Sequence, residues 1–103
     1  MVLVESPVFT RQVQELLTDD EYRELQWHLA IHPDAGALIQ GTGGLRKVRW
    51  SAGRRGKRGG VRVIYFYAAA AEQLRMLLIY RKGRKDDLTA TEKRTLRELN
   101  RGW

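Results

Sequence analysis

The chain has 103 residues, with 19 Lys and Arg against 12 Asp and Glu, and therefore a formal charge of +7. A chain this short buries one core, of roughly 13 Å radius for about 100 residues, which excludes two-domain and dinucleotide-dependent enzymes. A hydrophobic share of 43% argues against disorder, and the lack of cysteine excludes disulfide frameworks, thiol nucleophiles and cysteine-rich zinc sites while fitting a reducing compartment.

Residues 2–5 read as a first strand, closed by Ser6 and Pro7, which supply a helix N-cap and a proline at the first helical position. Phe9, Val13, Leu16 and Leu17 recur at helical spacing and predict an amphipathic helix over 7–17. Thr18 and Glu21 form a capping box that opens a second helix with Tyr22, Leu25 and Leu29 on its apolar face, ending near His32 and Pro33. Residues 36–44 form a glycine-rich connection. Residues 45–51 then read as a strand in which Leu45, Lys47 and Arg49 project to one side and Arg46, Val48 and Trp50 to the other. A basic hairpin loop over 52–60 leads to a strand over 61–68, where Arg62, Ile64 and Phe66 alternate with Val61, Val63, Tyr65 and Tyr67. A turn at 69–72 precedes a last strand over 74–80. Thr89 and Glu92 repeat the capping box and start a terminal helix with Leu96, Leu99 and Trp103 on one side and Arg94, Arg97 and Arg101 on the other. The order βααβββα predicts a single α+β domain over 1–103, with a small, mostly antiparallel four-stranded sheet carrying two N-terminal helices and a C-terminal one.

No signal peptide is expected, because Glu5 interrupts the apolar start and no basic segment precedes it. Apolar runs such as 63–71 fall far short of the ~20 residues a membrane span needs. A soluble, cytoplasmic protein without a membrane partner is the expectation.

Charge is unevenly spread. Residues 1–40 hold two basic side chains and seven acidic ones, a net of −5, so the other 63 residues carry +12. Residues 45–62 contain eight basic side chains (Arg46, Lys47, Arg49, Arg54, Arg55, Lys57, Arg58 and Arg62) and no acidic one, the electrostatic footprint of a phosphate-binding surface.

Several other motifs yield to blander readings. The run from Gly41 to Gly44 has Arg46 where a dinucleotide fingerprint needs glycine, and Gly56-Lys57 lacks the flanking residues of a Walker motif; both read as turns. His28 and His32 sit four apart, but Leu29 stands where a zinc protease needs glutamate and no third ligand follows, so no metal or cofactor is expected. Among the aromatics, Tyr65 and Tyr67 alternate with valines as core residues do, whereas Tyr80, beside Arg81 and Lys82, is the best placed to stack on a base. The constellation that stands out is Lys47, Arg49 and Arg62. If their strands pair, three cations converge over one patch that has to face water or an anion, because burying it unpaired costs heavily.

Three stretches, 39–49 (IQGTGGLRKVR), 56–65 (GKRGGVRVIY) and 78–82 (LIYRK), resemble the RelE superfamily of bacterial toxins, and within it the HigB-like branch. The resemblance covers nearly the whole chain. It implies a RelE-like fold and a type II toxin that enters the A site of a translating 70S ribosome and cleaves the mRNA there. It also implies a cognate antitoxin, of the HigA-like helix-turn-helix kind, that holds the toxin inactive. The family's basic residues on the second and third strands match Lys47, Arg49 and Arg62, and a further basic position falls near Lys82. Some members place a catalytic tyrosine where this chain has Leu88 and Thr89. Metal-independent RNA cleavage would then use Arg49 and Arg62 as phosphate clamps and Lys47 as a base tuned by its cationic neighbours, although cations alone make a poor acid/base pair. Arg46, Arg54, Arg55, Lys57, Arg58, Tyr80, Arg84, Arg94, Arg97 and Arg101 are the expected contacts to messenger and ribosomal RNA. Two rival readings are a ParE-like poison of DNA gyrase, which is no nuclease, and a non-catalytic ribosome- or RNA-binding module.

Overall fold

The computed structural model describes residues 1–51, 60–83 and 87–103. Their elements are β1 (Val2–Glu5), α1 (Pro7–Leu16), α2 (Asp19–Ile31), β2 (Ala37–Leu38), β3 (Arg46–Trp50), β4 (Val61–Ala68), a 3-10 turn at Ala69–Ala71, β5 (Gln73–Arg81) and α3 (Ala90–Arg101). The architecture is α+β, as the patterning predicts. Among the described residues no helix is long and apolar enough to cross a membrane.

The helix starts follow from local chemistry. Ser6 accepts a hydrogen bond from the Phe9 N–H at 3.0 Å, and Thr18 and Thr89 each form a complete capping box with Glu21 and Glu92. Ser6 does more than cap: its hydroxyl donates to the Leu77 carbonyl at 2.8 Å, so one buried side chain starts α1 and ties it to β5.

The sheet corrects the four-stranded expectation. It has five strands in the order β1-β5-β4-β3-β2, and β1 runs parallel to β5 while the other pairs are antiparallel. The extra strand lies inside the glycine-rich connection, where Ala37 and Leu38 pair with Lys47 and Arg46. Two residues are too few to show an alternation, so no sequence period marks this strand. The turn that follows is closed by the Ile39 N–H on the Leu45 carbonyl at 2.9 Å and by the buried Thr42 hydroxyl, which donates to the Ile39 carbonyl and accepts from the Leu45 N–H. Gly41, Gly43 and Gly44 take positive φ values of 79°, 75° and 106° there, which explains the run as turn geometry.

Each face of the sheet carries its own apolar layer. α1 and α2 bring Phe9, Val13, Leu25 and Leu29 against Val48, Val61, Val63, Tyr65, Met76 and Ile79. The opposite layer joins Leu45, Ile64, Leu77 and Tyr80 to Leu88 and to Leu96 of α3. A bulge between Ile64 and Tyr65 leaves Leu77 as an extra residue on β5.

α3 also corrects its expected face. Leu96 and Asn100 are the buried pair, while Leu99 and Trp103 remain 43% and 38% exposed. The reason is polar: Arg75 of β5 donates to Asn100 Oδ1 at 3.1 Å and rests its guanidinium over the rings of Phe66 and Trp103, which draws the asparagine edge of the helix inward.

Tyr65 locks the turn after α2. Fully buried, its hydroxyl accepts from the Gly36 N–H at 2.9 Å and donates to the Pro33 carbonyl at 2.7 Å. Tyr65→Phe leaves a buried N–H and a carbonyl without this partner and is expected to lower stability by about 1–3 kcal/mol. Thermal unfolding checks this; an unchanged midpoint would mean that the bridge contributes nothing.

Candidate nucleic-acid interface

Strand alternation and register together build the site. Because β3 pairs with β4 in the register Lys47↔Ile64, Val48↔Val63, Arg49↔Arg62 and Trp50↔Val61, the side chains of Lys47, Arg49, Ile64 and Arg62 share one face. β4 in turn sets Arg62 opposite Tyr80 and Ile64 opposite Leu78. One cross-strand row therefore reads Arg49, Arg62, Tyr80 and the next Lys47, Ile64, Leu78. Directly opposed residues lie about 5 Å apart at Cβ and diagonal ones about 7–8 Å, so the three cations fall within reach of a single phosphodiester. This is the face that carries α3 and its apolar layer, and the cations lie at the edge of that layer.

Lys47 is not surrounded by cations alone. Its Nζ lies 3.4 Å from Asp87 Oδ1, on the segment leading into α3, with the lysine side chain 29% and the aspartate 85% exposed. Arg62 is half-buried and donates to the Val61 carbonyl at 3.4 Å, and Arg49 is exposed.

Tyr80 departs from the stacking role expected of it. It is only 8% exposed, and its hydroxyl is buried without a hydrogen-bond partner among the described residues. Burial pushes its ionisation above the ordinary tyrosine range; the charge of Arg62 pulls it down, and those of Asp87 and Glu92 push it up. A ring so covered by the second apolar layer is no stacking platform. It forms the floor beside Arg62.

Arg46 and Arg97 also fall elsewhere. Arg46 projects to the opposite face, the one covered by α1 and α2, and donates to the carbonyls of Gly36 at 2.8 Å and Asp34 at 3.3 Å, holding the turn before β2. Arg97 does not share an outer face with Arg94 and Arg101. It is half-buried against the glycine turn, with Nη1 directed at the Gly41 carbonyl at 3.5 Å, because α3 rotates Asn100 inward and carries Arg97 with it. Arg94 and Arg101 are exposed, the latter 3.6 Å from Glu98. Lys82 is exposed just past β5, its N–H on the Gly60 carbonyl at 3.2 Å. Arg54, Arg55, Lys57, Arg58 and Arg84 lie outside the described residues.

The two histidines have a structural setting. Their rings are 5.5 Å apart, and His28 packs on Trp50 at 5.2 Å. Among the described residues no group of three His, Cys, Asp or Glu is arranged to hold a metal ion.

Sequence reasoning missed Asp87. It stands 40 residues from Lys47 in a charged segment with no pattern of its own, so the signal that singles it out is purely spatial. The chain matches no family model.

Arg49 and Arg62 are like charges directly opposed across two strands, an arrangement that destabilises a sheet by roughly 0.2–1 kcal/mol. Arg49→Thr is therefore expected to raise the denaturation midpoint while weakening retention on a polyanion column. A variant that loses both stability and retention would show that the arginine supports the sheet instead.

Proposed function

We propose that the protein is the toxin of a type II toxin-antitoxin system, a metal-independent endoribonuclease with a RelE-like fold that cleaves mRNA in the A site of the translating ribosome. The observation that carries this reading is the convergence of Lys47, Arg49 and Arg62 on one face of β3 and β4. The resemblance of residues 39–49, 56–65 and 78–82 to the HigB-like branch supplies the substrate.

The chemistry follows from what such a face can do. RNA carries its own nucleophile, the 2′-hydroxyl next to each phosphodiester, so the enzyme has to align it, stabilise charge on the phosphorane oxygens and manage protons. Arg49 and Arg62 act as clamps, since a guanidinium stays protonated and presents paired donors to phosphate oxygens. Lys47 adds a third positive charge one row away. Ribosomal RNA and the codon supply the alignment, and free RNA is a poor substrate. Exposed Lys82, Arg94 and Arg101 meet RNA phosphates around the patch, a contact set that makes binding fall steeply with salt. The toxin works in the cytoplasm, where its ribosomes are, under the control of a helix-turn-helix antitoxin.

The test is a translation reaction programmed with a defined message, with mRNA 5′ ends mapped by primer extension. The Lys47→Ala, Arg62→Ala double variant is expected to lose about 100-fold or more in cleavage while keeping the wild-type circular dichroism spectrum. Full cleavage by the folded double variant overturns the assignment. Wild-type protein that yields trapped DNA breaks and no new mRNA ends would point to a gyrase poison, and binding without any cut to a non-catalytic module.

A further inference from the structure

A face of lysine and arginine leaves one step unassigned. The 2′-hydroxyl has to lose a proton as it attacks, and neither a protonated lysine nor a guanidinium has a lone pair with which to take it. The structure sets the carboxylate of Asp87 against this face, with Oδ1 3.4 Å from Lys47 Nζ. Its charge also bears on Tyr80, the residue opposite Arg62. The side chain is 85% exposed and open to a ligand, while the backbone is held by its neighbours: Leu88 is buried in the second apolar layer and Thr89 caps α3. Glu92, the other carboxylate near Tyr80, is engaged differently, with Oε1 accepting the Thr89 N–H at 2.8 Å. An exposed ion pair such as Lys47–Asp87 contributes roughly 0.2–1 kcal/mol, so stability alone gives little reason for it.

We propose that Asp87 is the proton acceptor of the cleavage step and that Lys47 is its proton donor. This rests on the nuclease reading above. The phosphodiester enters beside Lys47, Arg49 and Arg62. An Asp87 carboxylate oxygen takes the proton of the 2′-hydroxyl, the 2′-oxygen forms a bond to phosphorus, and the bond from phosphorus to the 5′-oxygen breaks. The departing electron pair stays on the 5′-oxygen, which receives a proton from the Lys47 ammonium. The products are a 2′,3′-cyclic phosphate and a 5′-hydroxyl, leaving a neutral carboxyl and a neutral amine. Those two groups face each other at 3.4 Å in the free protein, so the proton passes from Asp87 to Lys47 after release and the pair regains its charges without an outside acid or base.

The experiment is single-turnover cleavage of ribosome-bound message by wild type, Asp87→Asn and Asp87→Glu, with ribosome affinity measured in parallel by cosedimentation. Asp87→Asn keeps the size of the side chain and removes its basicity. Its cleavage rate at saturating ribosome is expected to fall about 100-fold or more, with affinity unchanged or tighter, because a negative charge next to the phosphate is gone. Asp87→Glu is expected to recover at least about a tenth of the wild-type rate. Cleavage by Asp87→Asn within about threefold of wild type overturns the proposal, as does a defect confined to affinity. Wild-type protein that leaves translated message uncut defeats the nuclease reading itself, a result distinct from an active wild type with an equally active Asp87→Asn.

Discussion

The pairing register of β3 on β4 is the constraint on which the rest depends. Side chains alternate strictly along a strand, so a slip of one residue would drive Lys47 and Arg49 into the layer under α1 and α2 and turn Val48 and Trp50 outward. Arg49 opposite Arg62 works against this register. Val48 opposite Val63 and Trp50 opposite Val61 work for it, because both pairs bury apolar surface beneath the helices. The electrostatic strain of the cationic face is thus held in place by burial on the other side of the same strands.

The second face carries an apolar layer and, at its edge, the cations. α3 covers one part of it through Leu96, with Leu88 from the preceding segment. Its C-terminal turn is fixed by Arg75, whose guanidinium lies 5.4 Å from the Phe66 ring and 5.8 Å from that of Trp103. Its N-terminal end is fixed by the capping box, and this end delivers Asp87 to Lys47. The same helix therefore closes the apolar layer and completes the polar site.

Charge segregates across the sheet as well as along the chain. Exposed acidic residues of α1 and α2, among them Glu15, Asp19, Asp20 and Glu24, lie on the elements that pack against the first face, while Lys47, Arg49 and Arg62 belong to the second. A molecule charged in this way presents one attractive side to a polyanion and a repulsive one on the reverse, which orients encounter as well as strengthening it.

Much of this was legible in the residues themselves. The two Thr-x-x-Glu capping boxes, the bounds of β1 and β4, and the sharing of a face by Lys47 and Arg49 follow from local patterns, because capping and alternation act over two to four residues, whereas Arg62 joins that face only through the register of β4 on β3. The two-residue β2, the parallel docking of β1 on β5, the inward turn of Asn100 and Arg97, the burial of Tyr80 and the meeting of Asp87 with Lys47 were decided only in three dimensions. Each of them depends on a partner distant along the chain, and the identity of such a partner is set by register and packing, which leave no periodic trace in the sequence.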